Sequence, residues 1–377
     1  MKDSGIKWIG EIPEKWGKCR LKNVITIENG KEIMDDGGNI PVYGSGGIFK
    51  FTDRPIFVGQ SLLMGRKGTI DKPMLVDGPF WTVDTMFYTS RIENINARFL
   101  YYACSGLINF DFYKSGSVLP SMTQTELYNV WITLPGPSEQ QAIAAFLDKK
   151  CFVIDNLISN ETKQIEKLEE YKMATITKAV TKGLDSDAKM KDSGVEWIGE
   201  IPEKWGKCRL KNVITIENGK EIMDDGGNIP VYGSGGIFKF TDRPIFVGQS
   251  LLMGRKGTID KPMLVDGPFW TVDTMFYTSR IENINARFLY YACSGLINFD
   301  FYKSGSVLPS MTQTELYNVW ITLPGPSEQQ EIADYLDGKC TKIKKFIDIK
   351  KEKIGKLQDY KKSLIYEYVT GKKAVEA

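Results

Sequence analysis

The chain has 377 residues, of which 42% are hydrophobic and 25% are charged, and its formal net charge is +2 at pH 7. These values are typical of a globular protein with two or three domains. The absence of histidine excludes His-based catalysis and nearly every zinc arrangement, and the six cysteines form no CxxC pair, which indicates reduced, mostly buried thiols. No apolar run approaches the roughly 20 residues of a membrane span, and MKDSGIKW lacks the apolar core of a signal peptide, so we expect a cytoplasmic protein.

One long segment of the chain occurs twice. Residues 8–141 are identical to residues 197–330 at every position, so that Trp8 corresponds to Trp197. A repeat of this length has the size of a whole domain and is far too long for a solenoid or propeller unit. The residues after each copy differ but keep their spacing: AIAAFLDKKC from Ala142 becomes EIADYLDGKC from Glu331. The sequence therefore predicts two copies of one domain, each followed by a variable tail.

Within the first copy, short apolar segments separated by glycine-rich turns predict a mixed α/β domain. The segments indicated, in chain order, are a strand at 21–27 (LKNVITI), two strands around the turn at 40–51 (VYGSGG), two around the turn at 61–70 (GRKGT), two around Asp77-Gly78 at 73–90, a helix at 96–110, a loop at 114–123, a helical turn at QTELYNV and a strand at 131–134. Pro135 and Pro137 then end the domain.

A long helix is predicted to follow, because Ser138 to Gln141 fits a capping box and no proline or glycine occurs from there to about Val180. The second tail repeats this pattern, although Gly338 and Gly355 weaken it slightly. A heptad repeat predicts that the two helices cover each other's apolar seam, and the short connector at 184–189 favours an antiparallel pair. The predicted pairing positions are Leu147, Ile154, Ile158, Glu161, Ile165 and Leu168 in the first helix, and Leu336, Ile343, Ile347, Lys350, Ile354 and Leu357 in the second.

Two of these positions carry charges and correspond to each other in the repeat, Glu161 and Lys350. They are either charges at the rim of the helix pair, or opposite charges that favour pairing of the first helix with the second. The predicted fold class is α+β, mixed: two α/β domains joined by two long helices packed as an antiparallel coiled coil, with pseudo-two-fold symmetry.

Several motifs recur in a fixed order along the chain: the signature SGIKWIGEIPEKW (repeated as SGVEWIGEIPEKW), the turns VYGSGGI and GRKGT, the loop GSVLPSMTQTEL leading to WITLPGPSEQQAIAAFLD, and the helix ends YKMATITKAVTKGL and YKKSLIYEYVTGK. Together they resemble the specificity subunit of type I restriction–modification systems, and the resemblance covers essentially the whole chain. It implies target recognition domains at 1–137 and 190–326, a spacer helix at 138–183, a linker at 184–189, and a second spacer helix with the C-terminal tail at 327–377.

The resemblance also implies partners and the absence of catalysis. The partners would be double-stranded DNA, two methyltransferase subunits that methylate adenine with S-adenosylmethionine, and two restriction/translocase subunits that use ATP and Mg. The chain itself would bind no cofactor or metal. Its residues agree, because the sequence contains neither a GxxxxGK[ST] phosphate loop nor an NPPY or DPPY motif. A duplicated coiled-coil interaction module without DNA specificity is the alternative, and the near-neutral charge is compatible with it.

Sequence-specific DNA binding needs groups that reach base edges and cations that contact phosphates. Glycine-rich turns favour such contacts because they let the backbone approach a groove closely. The candidates in the first copy are Tyr43, Ser45, Lys50, Arg54, Arg66, Lys67, Lys114, Ser115, Ser117, Thr123 and Gln124. Their counterparts in the second copy are Tyr232, Ser234, Lys239, Arg243, Arg255, Lys256, Lys303, Ser304, Ser306, Thr312 and Gln313.

Each group of candidates has a structural alternative. Arg66 and Lys67 would form a solvated hairpin tip, the loop from Lys114 to Gln124 would cap the helical turn, and Tyr43 would pack in the core. The tryptophans of the first copy indicate core packing in preference to base stacking. Because the two copies are identical, both domains should prefer the same half-site, which predicts a palindromic, two-part target with an unread spacer.

Overall fold

The computed structural model describes residues 1–34, 37–110, 120–223, 226–299 and 309–375. The chain divides into two compact units, one of Met1–Thr162 with Lys351–Ala377 and one of Lys163–Lys350. Each unit therefore contains one copy of the repeated domain and a part of each long helix. Among the residues described, no helix is long and apolar enough to cross a membrane.

Short strands form most of the domain in the first unit. In chain order they are β1 (Lys2–Asp3), β2 (Glu11–Ile12), β3 (Gly17–Arg20), β4 (Ile25–Asn29), β5 (Ile40–Gly44), β6 (Gly47–Thr52), β7 (Phe57–Val58), β8 (Ser61–Gly65), β9 (Met74–Val76), β10 (Pro79–Thr82), β11 (Met86–Ile92) and β12 (Trp131–Leu134). One sheet has the order β6-β5-β10-β7 and another the order β4-β11-β8-β9, while β1 pairs with β2 and β12 with β3. Strand β10 runs parallel to β5 and antiparallel to β7.

Two short helices and the long helix α3 (Pro137–Lys182) accompany these strands. Helix α1 (Ala97–Leu107) begins where the Asn96 side chain accepts hydrogen bonds from two backbone N–H groups, and α2 (Gln124–Asn129) begins with a capping box between Thr123 and Glu126. The core joins the second sheet, α1 and the start of α3. It also includes residues from the end of the last helix of the chain, namely Leu364, Ile365 and Val369.

The second unit repeats this architecture with the same strand orders. Its strands are β13 (Met190–Asp192), β14 (Glu200–Pro202), β15 (Gly206–Arg209), β16 (Ile214–Asn218), β17 (Ile229–Gly233), β18 (Gly236–Thr241), β19 (Phe246–Val247), β20 (Ser250–Gly254), β21 (Met263–Val265), β22 (Pro268–Thr271), β23 (Met275–Ile281) and β24 (Trp320–Leu323), and its helices are α4 (Ala286–Leu296), α5 (Gln313–Asn318) and α6 (Pro326–Val369). Its core takes Ile176, Ala179 and Val180 from the end of α3.

The structure corrects three of the predicted local elements. Residues Leu21–Asn23 form a short 3-10 helix before β4, in which the Val24 N–H donates to the Leu21 carbonyl oxygen at 2.9 Å. The segment predicted to hold two strands at 73–90 holds β9, β10 and most of β11. Helix α3 begins at Pro137, one residue before the predicted cap, since proline is well suited to the first helical position, where its missing N–H leaves no bond unmade.

Within each unit the two long helices run antiparallel. In the first unit, rising residue numbers in α3 meet falling numbers in α6: Phe146 lies against Tyr368, Asp155 against Lys361 and Glu161 against Lys353. In the second unit, the Lys350 ammonium donates to the Gln164 side chain. All twelve predicted pairing positions are buried or half-buried, including Glu161, which is 7% exposed.

Candidate nucleic-acid interface

Three segments that are far apart in sequence meet on one surface of the domain in the first unit. They are the turn between β5 and β6, the tip that follows β8 (Gly65–Thr69, GRKGT), and the residues that lead into α2. A Cβ atom on Gly68 would lie 3.2 Å from the Ser45 hydroxyl oxygen, and the Gly68 N–H donates to the Pro120 carbonyl oxygen at 2.9 Å. The Met122 N–H donates to the Arg66 carbonyl oxygen at 2.9 Å. We call this the three-loop surface.

Backbone crowding fixes the shape of the GRKGT tip. A Cβ atom on Gly65 would lie 2.2 Å from the carbonyl oxygen of Thr69 and 2.7 Å from the Cα atom of Ile70, so only glycine fits there. The N–H groups of Arg66 and Lys67 both donate to the Thr85 carbonyl oxygen, at 2.8 and 3.2 Å. Because the backbone is held on both sides, the two cationic side chains start from a fixed position.

The three-loop surface brings together four of the predicted DNA-binding residues. Arg66 is half-buried and donates to the Asp84 carbonyl oxygen at 3.2 Å, whereas Lys67 is exposed. Ser45 is half-buried beside Gly68, and Thr123 is exposed at the start of α2. A shallow depression between the loops is lined by Arg66, Lys67 and Thr123, together with Asn29, Phe87, Ser121, Met122 and Gln124, of which Gln124 has its amide bonded within the scaffold.

Four other predicted residues make contacts within the scaffold. The Lys50 ammonium donates to the Ile33 carbonyl oxygen at 2.7 Å, and the Gln124 amide donates to the Ile27 carbonyl oxygen at 2.8 Å. The aromatic ring of Tyr43 meets the ring of Phe80 edge-on at 6.4 Å between centroids. The Arg54 guanidinium lies over the indole ring of Trp81, 5.8 Å from its centroid. Lys114, Ser115, Ser117 and their counterparts Lys303, Ser304 and Ser306 lie outside the described residues.

Sequence reasoning missed two polar residues of this surface. Asn29 is exposed at the end of β4, and Ser121 is exposed opposite Lys67 in an isolated bridge between the tip and the segment before α2. An asparagine amide is a donor and an acceptor at once, as recognition of adenine in the major groove requires. Asn29 belongs to no motif, so only the fold places it beside Arg66, whereas Ser121 lies within the loop motif GSVLPSMTQTEL and could have been found there.

The second unit builds the same surface from its own residues. The Gly257 N–H donates to the Pro309 carbonyl oxygen at 2.9 Å, and the Met311 N–H donates to the Arg255 carbonyl oxygen at 2.9 Å. Its depression is lined by Arg255, Lys256, Ser310, Thr312, Gln313 and Asn218. The Tyr232, Ser234, Lys239 and Arg243 side chains keep the contacts of their counterparts. One difference is an ion pair of 3.8 Å between Lys256 and Asp273.

Comparison with known proteins identifies the family of the chain. The family model for the type I restriction modification DNA specificity domain matches residues 13–170 and again residues 202–363. The type I restriction enzyme MjaVIII specificity subunit of Methanocaldococcus jannaschii is 27% identical over 369 residues, covering 86% of this chain and 75% of the relative. The EcoprrI specificity subunit of Escherichia coli is 26% identical over 144 residues, covering 38% of this chain and 35% of the relative.

A solved structure shares the fold. That structure comes from work on complex assembly and conformational transition of the type I R-M system. It matches with a TM-score of 0.64 and 14% sequence identity, and the match covers 96% of this chain and 99% of the other. Since the family model matches most of the chain, in two successive copies, the chain belongs to the type I restriction–modification DNA specificity family.

Proposed function

We propose that this chain is the non-catalytic DNA-recognition subunit of a type I restriction–modification complex, with residues 1–137 and 190–326 as its two target recognition domains. The observation that carries the proposal is the three-loop surface, which occurs once in each unit. There the GRKGT tip, whose backbone shape requires Gly65, places the cations Arg66 and Lys67 beside exposed amide and hydroxyl groups. Cations of this kind fix a protein on the phosphate backbone, while amides and hydroxyls discriminate between bases.

The contacts within the domain suggest a division of roles among the candidate residues. Lys67 is exposed and suits a phosphate contact, whereas Arg66, held by the Asp84 carbonyl oxygen, suits a fixed contact to a guanine or a phosphate. Asn29, Ser45 and Thr123 suit contacts to base edges. The other candidates, Tyr43, Lys50, Arg54 and Gln124 among them, would shape this surface or contact DNA at its border. The same roles apply to their counterparts in the second unit.

The target is a palindrome interrupted by an unread spacer. Because residues 8–141 and 197–330 are identical, both domains prefer the same half-site. The helices α3 and α6 pair antiparallel within each unit. We therefore infer that the two half-sites are inverted, because an antiparallel arrangement of two identical readers is mirrored in DNA as an inverted repeat. The two helices differ in sequence, but they set the spacing of the half-sites and read no bases.

The partners of the chain follow from the same proposal. Two methyltransferase subunits supply adenine methylation with S-adenosylmethionine, and restriction/translocase subunits supply ATP- and Mg-dependent cleavage. The complex acts in the cytoplasm, where the chromosomal and invading DNA lie. Each half-site then contains one adenine that is methylated, one on each strand.

Mapping of methylated adenines in cells that express this chain with its methyltransferase subunit tests the proposal. We expect one two-part motif whose second half is the reverse complement of the first. A motif with two different halves would contradict the identity argument, and a direct repeat would contradict the antiparallel arrangement. A gel-shift assay with and without the methyltransferase subunit provides the complementary measurement: if neither sample binds DNA, the chain is not a recognition subunit.

A further inference from the structure

The two identical domains pack against the ends of different helices, the end of α6 in the first unit and the end of α3 in the second. The contacts between domain and helix end are nevertheless equivalent. In the first unit the Thr133 hydroxyl donates to the carbonyl oxygen of Val369 in α6, and in the second unit the Thr322 hydroxyl donates to that of Val180 in α3 at 2.6 Å. A Cβ atom on Gly106 would meet Ile365 at 2.8 Å, and one on Gly295 would meet Ile176 at 2.9 Å. Either helix end therefore fits the same domain surface.

The helix-to-helix contacts, in contrast, differ in charge between the units. In the first unit the Lys353 ammonium lies 2.6 Å from the largely buried Glu161 carboxylate, and the Lys361 ammonium lies 2.7 Å from that of Asp155. The residues that correspond to Glu161 and Lys353 in the repeat are Lys350 and Gln164, which are hydrogen-bonded in the second unit. The contact is retained there, but it is not an ion pair.

The residues that correspond to Asp155 and Lys361 are Lys344 and Lys172. Burial raises the pKa of the Cys340 thiol, and the nearby Lys172 ammonium opposes that rise, as the Lys361 ammonium does for Cys151 in the first unit. Lys172 therefore lies at the place in the second unit that Lys361 has in the first. Lys344 lies one helical turn beyond Cys340, at the position that Asp155 has in the first helix, and it carries the opposite charge.

We propose that these four positions form a pairing code, in which the seam of α3 accepts either α6 or another α3, while the seam of α6 accepts only α3. Two α3 helices would bring Asp155 against Lys172 and Glu161 against Gln164, which are attractive or neutral contacts. Two α6 helices would bring Lys344 against Lys361 and Lys350 against Lys353, so both of these contacts would join like charges. The partner that fits α6 is thus the first copy of this chain, and the code is independent of DNA binding.

Reassortment of a cut chain tests the code. A protease site is inserted between Ser186 and Asp187, both exposed in the linker, and the folded protein is cut into its two halves. The halves are unfolded together in denaturant, refolded by dilution and counted by native mass spectrometry. Random pairing would give first-copy homodimers, mixed pairs and second-copy homodimers in the ratio of about 1:2:1. We expect mixed pairs to predominate and second-copy homodimers to fall about tenfold below their random share.

A charge swap provides the reciprocal experiment. Lys344→Asp with Lys350→Glu gives these two positions the charges of Asp155 and Glu161 and turns both like-charged contacts of a second-copy pair into opposite-charged ones, so that second-copy homodimers should rise to their random share. Lys342→Asp with Lys345→Glu makes the same change in net charge at exposed positions outside the seam and should leave the distribution unchanged. Random ratios from the unmodified halves, or equal effects of the two double variants, would overturn the proposal.

A second measurement needs neither cutting nor refolding. In the intact chain, Lys344→Asp should place a carboxylate near Lys172 and raise the melting temperature, whereas Lys342→Asp should not. A melting temperature that Lys344→Asp leaves unchanged or lowers would also overturn the code.

Discussion

The shape of the GRKGT tip rests on Gly65, and Gly65→Ala tests whether that shape matters. The added Cβ atom would lie 2.2 Å from the Thr69 carbonyl oxygen, and the atoms that it meets are backbone, which cannot rotate away. The tip must therefore shift away from β11 and from the segment before α2. This shift breaks the backbone hydrogen bonds that join Arg66 to Thr85, Gly68 to Pro120 and Met122 to Arg66; the longer bond from Lys67 shares the Thr85 acceptor with Arg66 and is counted together with it, which makes three.

The expected loss follows from those three bonds. At about 1 kcal/mol each, the tip loses about 3 kcal/mol of local stability. Since 1.4 kcal/mol corresponds to a factor of ten, the amides of Arg66, Gly68 and Met122 should exchange with solvent deuterium about a hundredfold faster. Hydrogen exchange measured by mass spectrometry on peptides from these segments gives the rates directly.

Gly46→Ala is the matched control for this experiment. Gly46 lies in the neighbouring turn, a Cβ atom there meets nothing within 4 Å, and neither glycine has a positive φ. The control should leave exchange in the tip unchanged. With the same substitution at Gly254, the Gly65→Ala chain should also lose DNA affinity. Equal exchange rates in Gly65→Ala and Gly46→Ala chains would refute the claim that backbone crowding sets the tip.

Three further outcomes are expected. Arg66→Ala combined with Arg255→Ala should weaken DNA binding and flatten its salt dependence if the arginines contact phosphates, or relax one base position of each half-site if they read guanine; unchanged affinity and site choice would remove the tip from the interface. Thr322→Val removes the donor to the Val180 carbonyl oxygen and should destabilise the second unit by about 1–3 kcal/mol in denaturant titrations. Burial raises the pKa of the Cys104 thiol to about 12, so at pH 8 it stays protonated and should resist a thiol-selective reagent until the protein unfolds; rapid labelling of the native chain, detected by peptide mapping, would contradict this.

The elements that the sequence predicts well are those specified by local patterns. The heptad positions from Leu147 to Leu168 predict the pairing face of α3, because a 3.6-residue period is visible within a few turns. Glycine-rich turns likewise predict the tip after β8. The 3-10 helix at Leu21–Asn23 was not predictable in this way, since a single turn closed by one hydrogen bond, from the Val24 N–H to the Leu21 carbonyl oxygen, leaves no periodic pattern in the sequence.

The candidate site was predictable as a set of loops but not residue by residue. The hydrogen-bond partner of a long side chain is set by backbone that is distant in sequence. The Lys50 ammonium donates to the Ile33 carbonyl oxygen, and the Gln124 amide donates to the Ile27 carbonyl oxygen. Asn29 has no motif around it, and only the pairing of β4 with β11 brings it to the three-loop surface. Nor does the sequence show that the end of α6 supplies Leu364, Ile365 and Val369 to the core of the first unit.

The lysines along the α6 seam have a genetic consequence. A long direct repeat in a gene is prone to deletion, because recombination between the two copies removes one of them together with the segment between. The shortened gene would encode one domain followed by α6, since the downstream flank always survives and the α3 segment is lost. With Lys344 and Lys350 on its only seam, that product should pair with itself only weakly. Cells that lose one copy would then lose the assembled subunit as well, and selection for the complex would maintain the duplication.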